Sequence, residues 1–283
     1  MPPSPSPEKL AVCSWSLQPS DPRDLLEKMR LADLARIQLA LDPLVHSPAI
    51  WGDTKAVLQQ AGITIISGMF GCVGEDYSTL DTIRVTGGIA PDATWDQNLA
   101  HIRAIVPLAA ALGLKLVTFH AGFVPHDPAD PDFEKMVFRL TTVAGIFAAA
   151  EMVLGLETGQ ETAAELVTLL GTLKCPNVVV NFDPANMLLY GKGDPIQAIQ
   201  VLGPWIRQVH VKDALPSTTP GKWGQEVAVG TGAVDWPAFF AALDDADFAG
   251  DLVIEREAGT TRVADIRTAR GLVLKSTSFS ETT

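Results

Sequence analysis

The chain has 283 residues, of which 47% are hydrophobic and 19% charged, enough for one large core and, by length alone, for one or two domains. A formal net charge of −12 argues against a nucleic-acid or anionic-membrane surface, whose affinity comes largely from clustered Lys and Arg. Three cysteines without metal-type spacing (Cys13, Cys72, Cys175), a start (MPPSPSPEKL) that lacks a signal peptide's basic-then-apolar order, and the absence of a membrane-length apolar run together predict a soluble cytoplasmic protein without structural disulfides.

Residues 1–9 are expected to be a disordered lead. LAVCSW, at 10–15, reads as a first buried strand, and 22–32 as its helix with Asp21 as N-cap. RIQLAL, from Arg36, is a second strand, followed by a helix over 50–61 that Gly62 stops. ITIISGMFG, from Ile63, is a third strand. Residues 72–94 show no clear periodicity and are expected to form an extended loop over one end of the fold. A helix over 95–112 closes at Gly113, and LKLVTFHAG, from Leu114, is a fourth strand with His120 at its end. A helix over 133–152 leads to VLGLETG, a fifth strand ending at Glu157, and then to a helix over 161–173.

The next stretch is a strand, a helix and a strand. VVVNF ends at Asp183, Asp194 and Pro195 open a helix that Gly203 and Pro204 close, and IRQVHV follows, with His210, Lys212 and Asp213 at its end. This is a βαβ crossover, so the two strands should be parallel neighbours. A Gly- and Pro-rich loop over 216–234 precedes a helix over 236–248. DLVIERE is the eighth strand and carries Glu255, a last helix covers 261–275, and 276–283 is expected to be a flexible tail. Eight strand-then-helix units over 10–275, without an insert large enough for another domain, predict a single (β/α)8 TIM barrel as the catalytic domain. The rival, an open doubly wound sheet, needs a Gly-rich phosphate turn, and the glycines around Gly155 and Gly159 lack its spacing.

In such a barrel the C-terminal strand ends share one mouth, and catalytic groups sit there. Those positions hold Glu157, Asp183, His210 and Glu255 on four consecutive strands. Three carboxylates and an imidazole suit Mn²⁺ or Mg²⁺, with Co²⁺ possible, better than a structural zinc. Each residue alone has an ordinary explanation: a helix N-cap, a turn before Pro184, a satisfied interior histidine. Together they have a less ordinary one, since burying three carboxylates without a cation is costly. Around them, His120 and Lys212 are candidates for substrate hydroxyl, carbonyl or anion contacts, and Trp15 and Trp223 for stacking on a substrate. His46, His101 and His126 receive no role.

LGLETG, VNFDPAN, QVHVKDA and LVIERE resemble the strand ends of the xylose-isomerase-like barrels, the sugar phosphate isomerase/epimerase group, and the likeness runs from the first strand to the last helix. The resemblance implies that Glu157, Asp183, His210 and Glu255 bind one divalent metal, usually manganese. It also implies that the two glutamates exchange protons with a sugar, keto sugar or inosose through an enediolate, while Asp183 and His210 are ligands only. GTGAVDW resembles the loop before the seventh helix in many members. One position departs from the pattern. Ketose 3-epimerases carry Asp-x-x-His, whose histidine binds substrate, whereas this chain has Asp183-Pro184-Ala185-Asn186. Asn186 is therefore the expected substrate contact there, and epimerisation at that carbon is not implied. A lyase or dehydratase, or a deglycosylase on a keto sugar, would use the same ligands. An apurinic-site endonuclease would need further histidines, which neither Asn186 nor the loop GQEVAVGTG supplies. The expected partner is a small sugar rather than nucleic acid or a membrane, with a homo-oligomer or a small partner subunit both open.

Overall fold

The computed structural model describes residues 7–219 and 221–278. Eight parallel strands close into a barrel: β1 (Leu10–Cys13), β2 (Arg36–Ala40), β3 (Thr64–Met69), β4 (Leu116–Phe119), β5 (Val153–Glu157), β6 (Val178–Phe182), β7 (Ile206–Val211) and, after a hairpin of β8 (Asp213–Leu215) and β9 (Gln225–Val227), β10 (Asp251–Ile254). The order around the barrel is β1-β10-β7-β6-β5-β4-β3-β2, so β10 closes it against β1 through the pairs Leu10↔Leu252 and Val12↔Ile254. The fold is the single (β/α)8 barrel expected from the alternation.

Short β-branched runs such as VVVNF are buried along their whole length because helices cover the outer face and side chains fill the inner one. The helix Pro22–Ala32 shows how the sequence sets the outer layer. Asp21 accepts from the backbone N–H of Arg23 and Asp24 at its start, Leu25, Met29 and Ala32 share its buried stripe, and Asp33 turns left-handed to end it. The helix Ala163–Leu173 opens with a reciprocal capping box between Thr162 and Glu165.

Several boundaries differ from expectation. The first strand stops at Cys13, and Trp15 lies in a single helical turn, Ser14–Leu17, whose Ser14 hydroxyl accepts from Ala40 N of the neighbouring strand. The helix expected over 50–61 is two pieces, Pro48–Trp51 and Thr54–Gln60, and a further short helix, Asp42–His46, precedes them. Pro43 and Pro48 lack an N–H and start helices rather than continue them. Within 72–94 lies a helix, Leu80–Thr86, with a Thr79–Thr82 capping box. Asp183 is not a simple turn former, since it caps a helix, Pro184–Tyr190. The final helix, Arg262–Ser278, runs into the expected tail. Residues 1–6 of the expected lead and 279–283 of the tail lie outside the described residues. Among the described residues, no helix is long and apolar enough to cross a membrane.

Candidate metal centre and active site

Strand alternation aims one set of side chains at the barrel axis. Glu157 ends β5, Asp183 follows β6, His210 lies in β7 and Glu255 follows β10. Each offers a ligand atom, and these atoms all lie within 4.8 Å of one another. Asp183 and His210 are fully buried, Glu255 and Glu157 nearly so. His210 Nδ1 stands 3.2 Å from Glu157 Oε1, 3.1 Å from Glu255 Oε2 and 3.7 Å from Asp183 Oδ2.

The histidine's orientation comes from below. Its Nε2 is 2.9 Å from Gln38 Oε1, and Gln38 donates its amide N–H to Thr118 Oγ1 at 2.9 Å, which turns the amide oxygen toward the ring. An amide oxygen can only accept, so Nε2 carries a proton and Nδ1 is the nitrogen left to face the carboxylates. The Asn181 amide nitrogen crowds the same ring edge at 3.1 Å and reaches Glu157 Oε2 at 3.3 Å. Nδ1 of His210 and Oδ2 of Asp183 are buried without a hydrogen-bond partner. Nδ1 facing three carboxylate oxygens calls for positive charge at that point, a proton on the ring or a cation among the four groups. The four donors thus fit a divalent ion, one nitrogen and three carboxylates.

The electrostatics follow from the crowding. Burial opposes charge on Glu157, yet His120 and His210 hold its carboxyl well below the usual range. Glu255 is likewise opposed by burial and drawn down to about 2 by His210 and Lys212. Burial pushes Asp183 up in spite of Lys212. Against burial, Glu255 and Glu157 raise His210 well above its ordinary value.

Lys212 is buried and its ammonium is caged. It donates to Asn186 Oδ1 at 3.2 Å, to Glu255 Oε2 at 3.1 Å and to Glu257, and lies 3.7 Å from Asp183 Oδ2. It does not reach the cavity wall. A buried ammonium persists only with such partners, and Glu255 and Glu257 raise its pKa against the effect of burial. Asn186 bridges Lys212 to the centre by donating to Glu157 Oε1 at 3.0 Å.

Above this cluster opens a cavity of about 480 Å³. Its wall includes Trp15, His120, Asn186 and Trp223, all singled out from sequence, together with Glu157 and Glu255. His120 Nε2 is 3.4 Å from Glu157 Oε1, and, against burial, Glu157 and Glu75 push the imidazole up to about 9. Glu75, Tyr77, Tyr190 and Glu257 also line the wall, and the sequence reading missed them. Glu75 and Tyr77 sit in the aperiodic stretch, and Tyr190 ends a helix masked by Asp-Pro. Glu257 had a usable signal, since it lies two residues beyond Glu255 and shares its face. Arg256 between them turns away, to Glu226 Oε1 at 2.7 Å and Asp265 Oδ2 at 2.8 Å, as alternation requires.

The loop over 216–234 lies across this mouth, with Trp223, Gly224 and Glu226 on the cavity wall. Gly224 N donates to Leu189 O at 3.1 Å, and Trp223 packs edge-on to Tyr190 with ring centroids 4.8 Å apart. Its base is wrapped around the buried Asp213, whose carboxylate accepts from Gly230 N, Gly232 N, Val234 N and Trp236 Nε1. A Cβ at Gly232 would stand 2.1 Å from Asp213 Oδ1, so GTGAVDW needs its second glycine. His46, His101 and His126 are not among the cavity-lining residues; His101 is bonded to Asp42 and stacked on His46.

Residues 32–276 match the family model described as xylose isomerase-like TIM barrel. A xylose isomerase domain protein from Planctomyces limnophilus, of known crystal structure, is 31% identical, with 89% of this chain and 91% of that one covered and a TM-score of 0.84. An inosose dehydratase from Geobacillus kaustophilus (strain HTA426) is 26% identical over 231 residues, 72% of this chain and 70% of the relative. A xylose isomerase-like TIM barrel protein from Mycobacterium smegmatis, solved in complex with magnesium, shares the fold at a TM-score of 0.73 and 15% identity over 96% of this chain and 97% of that one. The family model and the Planctomyces structure agree over nearly all of the barrel, and this chain belongs to the xylose isomerase-like TIM barrel family.

Proposed function

We propose that this barrel is a divalent-metal-dependent isomerase or epimerase of a sugar, keto sugar or inosose. The observation that carries the reading is the unequal placing of the four ligands. Glu157 and Glu255 stand on the cavity wall, within reach of a substrate, whereas Asp183 and His210 lie wholly beneath it. That division suits two groups that hold a metal and move protons, and two that only hold it. A cation bound by the four, Mn²⁺ by the character of the donors and Mg²⁺ or Co²⁺ as alternatives, would polarise a carbonyl and its neighbouring hydroxyl.

The chain's own groups supply the rest. Glu157 and Glu255 come from strands on either side of β6 and β7. One takes the proton next to the carbonyl, and the other returns it to the opposite face or to the adjacent carbon. Asn186 donates to Glu157 and Lys212 to Glu255, so each carboxylate is held in one orientation. Trp223 Nε1 and His120 Nδ1 are buried without partners, the state of groups that meet substrate hydroxyls. The faces of Trp15 and Trp223 suit stacking on a sugar ring.

An elimination on the same scaffold is the second reading. His120 stands on the wall as a third proton carrier beside Glu157 and can protonate a departing hydroxyl, and an inosose dehydratase is among the relatives. Proton NMR of keto sugars and inososes in D₂O, with Mn²⁺-loaded protein, tests both. An isomerase or epimerase places deuterium in a product that keeps its oxygens, and a dehydratase yields an unsaturated or deoxy product. If stoichiometrically loaded protein exchanges no carbon-bound proton in any of them, the proton-transfer reading is wrong.

A further inference from the structure

We infer that this mouth is built for an uncharged polyhydroxylated carbonyl compound and turns away its phosphorylated or carboxylated analogues, because Glu226 fills the place where a substrate's anionic group would dock. The inference rests on the reading that substrate binds in the cavity above the four ligands.

Barrels that take phosphorylated substrates bind the phosphate on backbone N–H groups of the loops after the last two strands. Here the chain leaving β10 presents the N–H groups of Glu257 and Ala258 beside the Arg256 guanidinium. Two amides and a fixed cation converging on one point make an anion-binding nest. Glu226, carried in from β9, occupies it. Its Oε1 lies 2.7 Å from Arg256 Nη1 and 2.9 Å from Glu257 N, and its Oε2 lies 3.1 Å from Ala258 N. The Glu226 side chain is 8% exposed, so the nest is closed as well as neutralised.

The opposite rim repeats the pattern. Glu75 accepts from Gly88 N at 2.9 Å and Cys72 N at 3.2 Å, and Asp42 takes Gly71 N at 3.2 Å. At the start of the helix Pro184–Tyr190, Asp183 takes Asn186 N at 2.9 Å. The chain's own carboxylates thus hold these amide donors around the mouth.

Wall charge points the same way. Glu75, Glu157, Glu226, Glu255 and Glu257 line the cavity with His120, and no described lining residue is Lys or Arg. Lys212 lies beneath the wall, and Arg262 is engaged by the backbone oxygens of Glu257 and Gly259. The Glu257 side chain is half exposed and would meet a phosphate monoester as a like charge. An uncharged ring meets aromatic faces and unpartnered donors instead.

Removing the plug tests the idea directly, with inorganic sulfate as the probe and metal-loaded protein throughout. Glu226→Ala uncovers Arg256 and the two amides, and should bind sulfate saturably and at least ~10-fold more tightly than the wild type in a calorimetric titration. Glu226→Gln, which keeps the shape and removes the charge, serves if the alanine variant does not fold, and should shift affinity in the same direction. In a second arm, quenching of tryptophan fluorescence compares inososes and ketohexoses with their phosphates and with uronates. The neutral compounds should bind at least ~10-fold more tightly to the wild type, and the gap should narrow in Glu226→Ala. Equal sulfate affinity in wild type and variants, or an anionic analogue bound by the wild type as tightly as its neutral partner, overturns the inference. Neutral compounds that bind preferentially while none of the panel exchanges deuterium sink the proton-transfer reading and leave this one standing. A phosphate ester that is both bound and exchanged does the reverse.

Discussion

Alternate residues of one strand face two different interiors in this protein, and β7 shows both. Val209 and Val211 point outward and join the apolar layer between strands and helices, with Phe119, Phe182 and Ile37. Gln208 and His210 point inward, where Ser67 donates to Gln208, Gln208 to Asn181, and Asn181 and Gln38 meet His210. Barrel interiors are more often filled with branched aliphatic side chains. Here a small apolar cluster of Ala11, Cys13, Ala40, Met69 and Val253 lies beside the polar network. Buried polar groups contribute to stability only when fully paired, and two atoms here, His210 Nδ1 and Asp183 Oδ2, are not. The outer layer is organised for cohesion, and the inner one fixes polar side chains in set directions.

The sharpest break of that contrast is Asp183→Asn. Wild-type protein purified with Mn²⁺ should carry about one ion per chain, and the variant should lose most of it and roughly 10²-fold or more of activity. In chelator its unfolding free energy should match or exceed the wild type's, because one of three crowded carboxylates is gone. Elemental analysis and urea unfolding on the same samples decide the matter.

Phe119→Ala asks the reverse question. Phe119 is buried and stacked on Phe70 with centroids 4.9 Å apart. Its truncation should cost about 3–5 kcal/mol of stability with metal stoichiometry unchanged in the folded fraction.

Glu161 carries the contrast to the back of the mouth, where a buried carboxyl is pushed up to about 7 by that burial. Its folded pKa is raised, so the folded state binds more protons than the unfolded between about pH 4.5 and 7, and stability falls as pH rises through that window. Glu161→Gln should therefore resemble the wild type at pH 4.5 and be more stable by about 2–3 kcal/mol at pH 8, read from urea midpoints.

How much of this was legible in sequence depended on which layer a residue joins. Strand order and the cluster of Glu157, Asp183, His210 and Glu255 were readable because polar side chains at the ends of apolar runs stand out. The inner polar layer was not, since a single Gln38 or Asn181 within RIQLA or VVVNF looks like an interruption of a buried strand. Gln208 was recoverable, two residues before His210 and on its face. The helix Pro184–Tyr190 was hidden because seven residues are too few for a periodic signal and Asp-Pro reads first as a turn. The β8–β9 hairpin escaped because strands of three residues carry no alternation to read, and the pairing of Glu226 with the exit of β10 is a long-range contact.

The subtlest expected effect lies at Gln38, which touches no substrate and no metal. Its Oε1 takes the Nε2 proton of His210 and so fixes which nitrogen faces the carboxylates. Gln38→Leu is close in volume and removes that acceptor, together with the N–H that Gln38 donates to Thr118. The ring is then free to carry its proton on Nδ1, where it points at Glu157 and Glu255 and competes with a cation. Metal affinity should fall about 10–100-fold while the barrel stays folded. Gln38→Glu restores an acceptor in the same place and should recover part of that loss, a rescue that a packing role alone would not give. Competition titrations against a chromophoric chelator, run on all three proteins, measure the difference. If Gln38→Leu binds Mn²⁺ as tightly as the wild type, Gln38 has no part in orienting His210, and the ring is held by β7 and Asn181 without it.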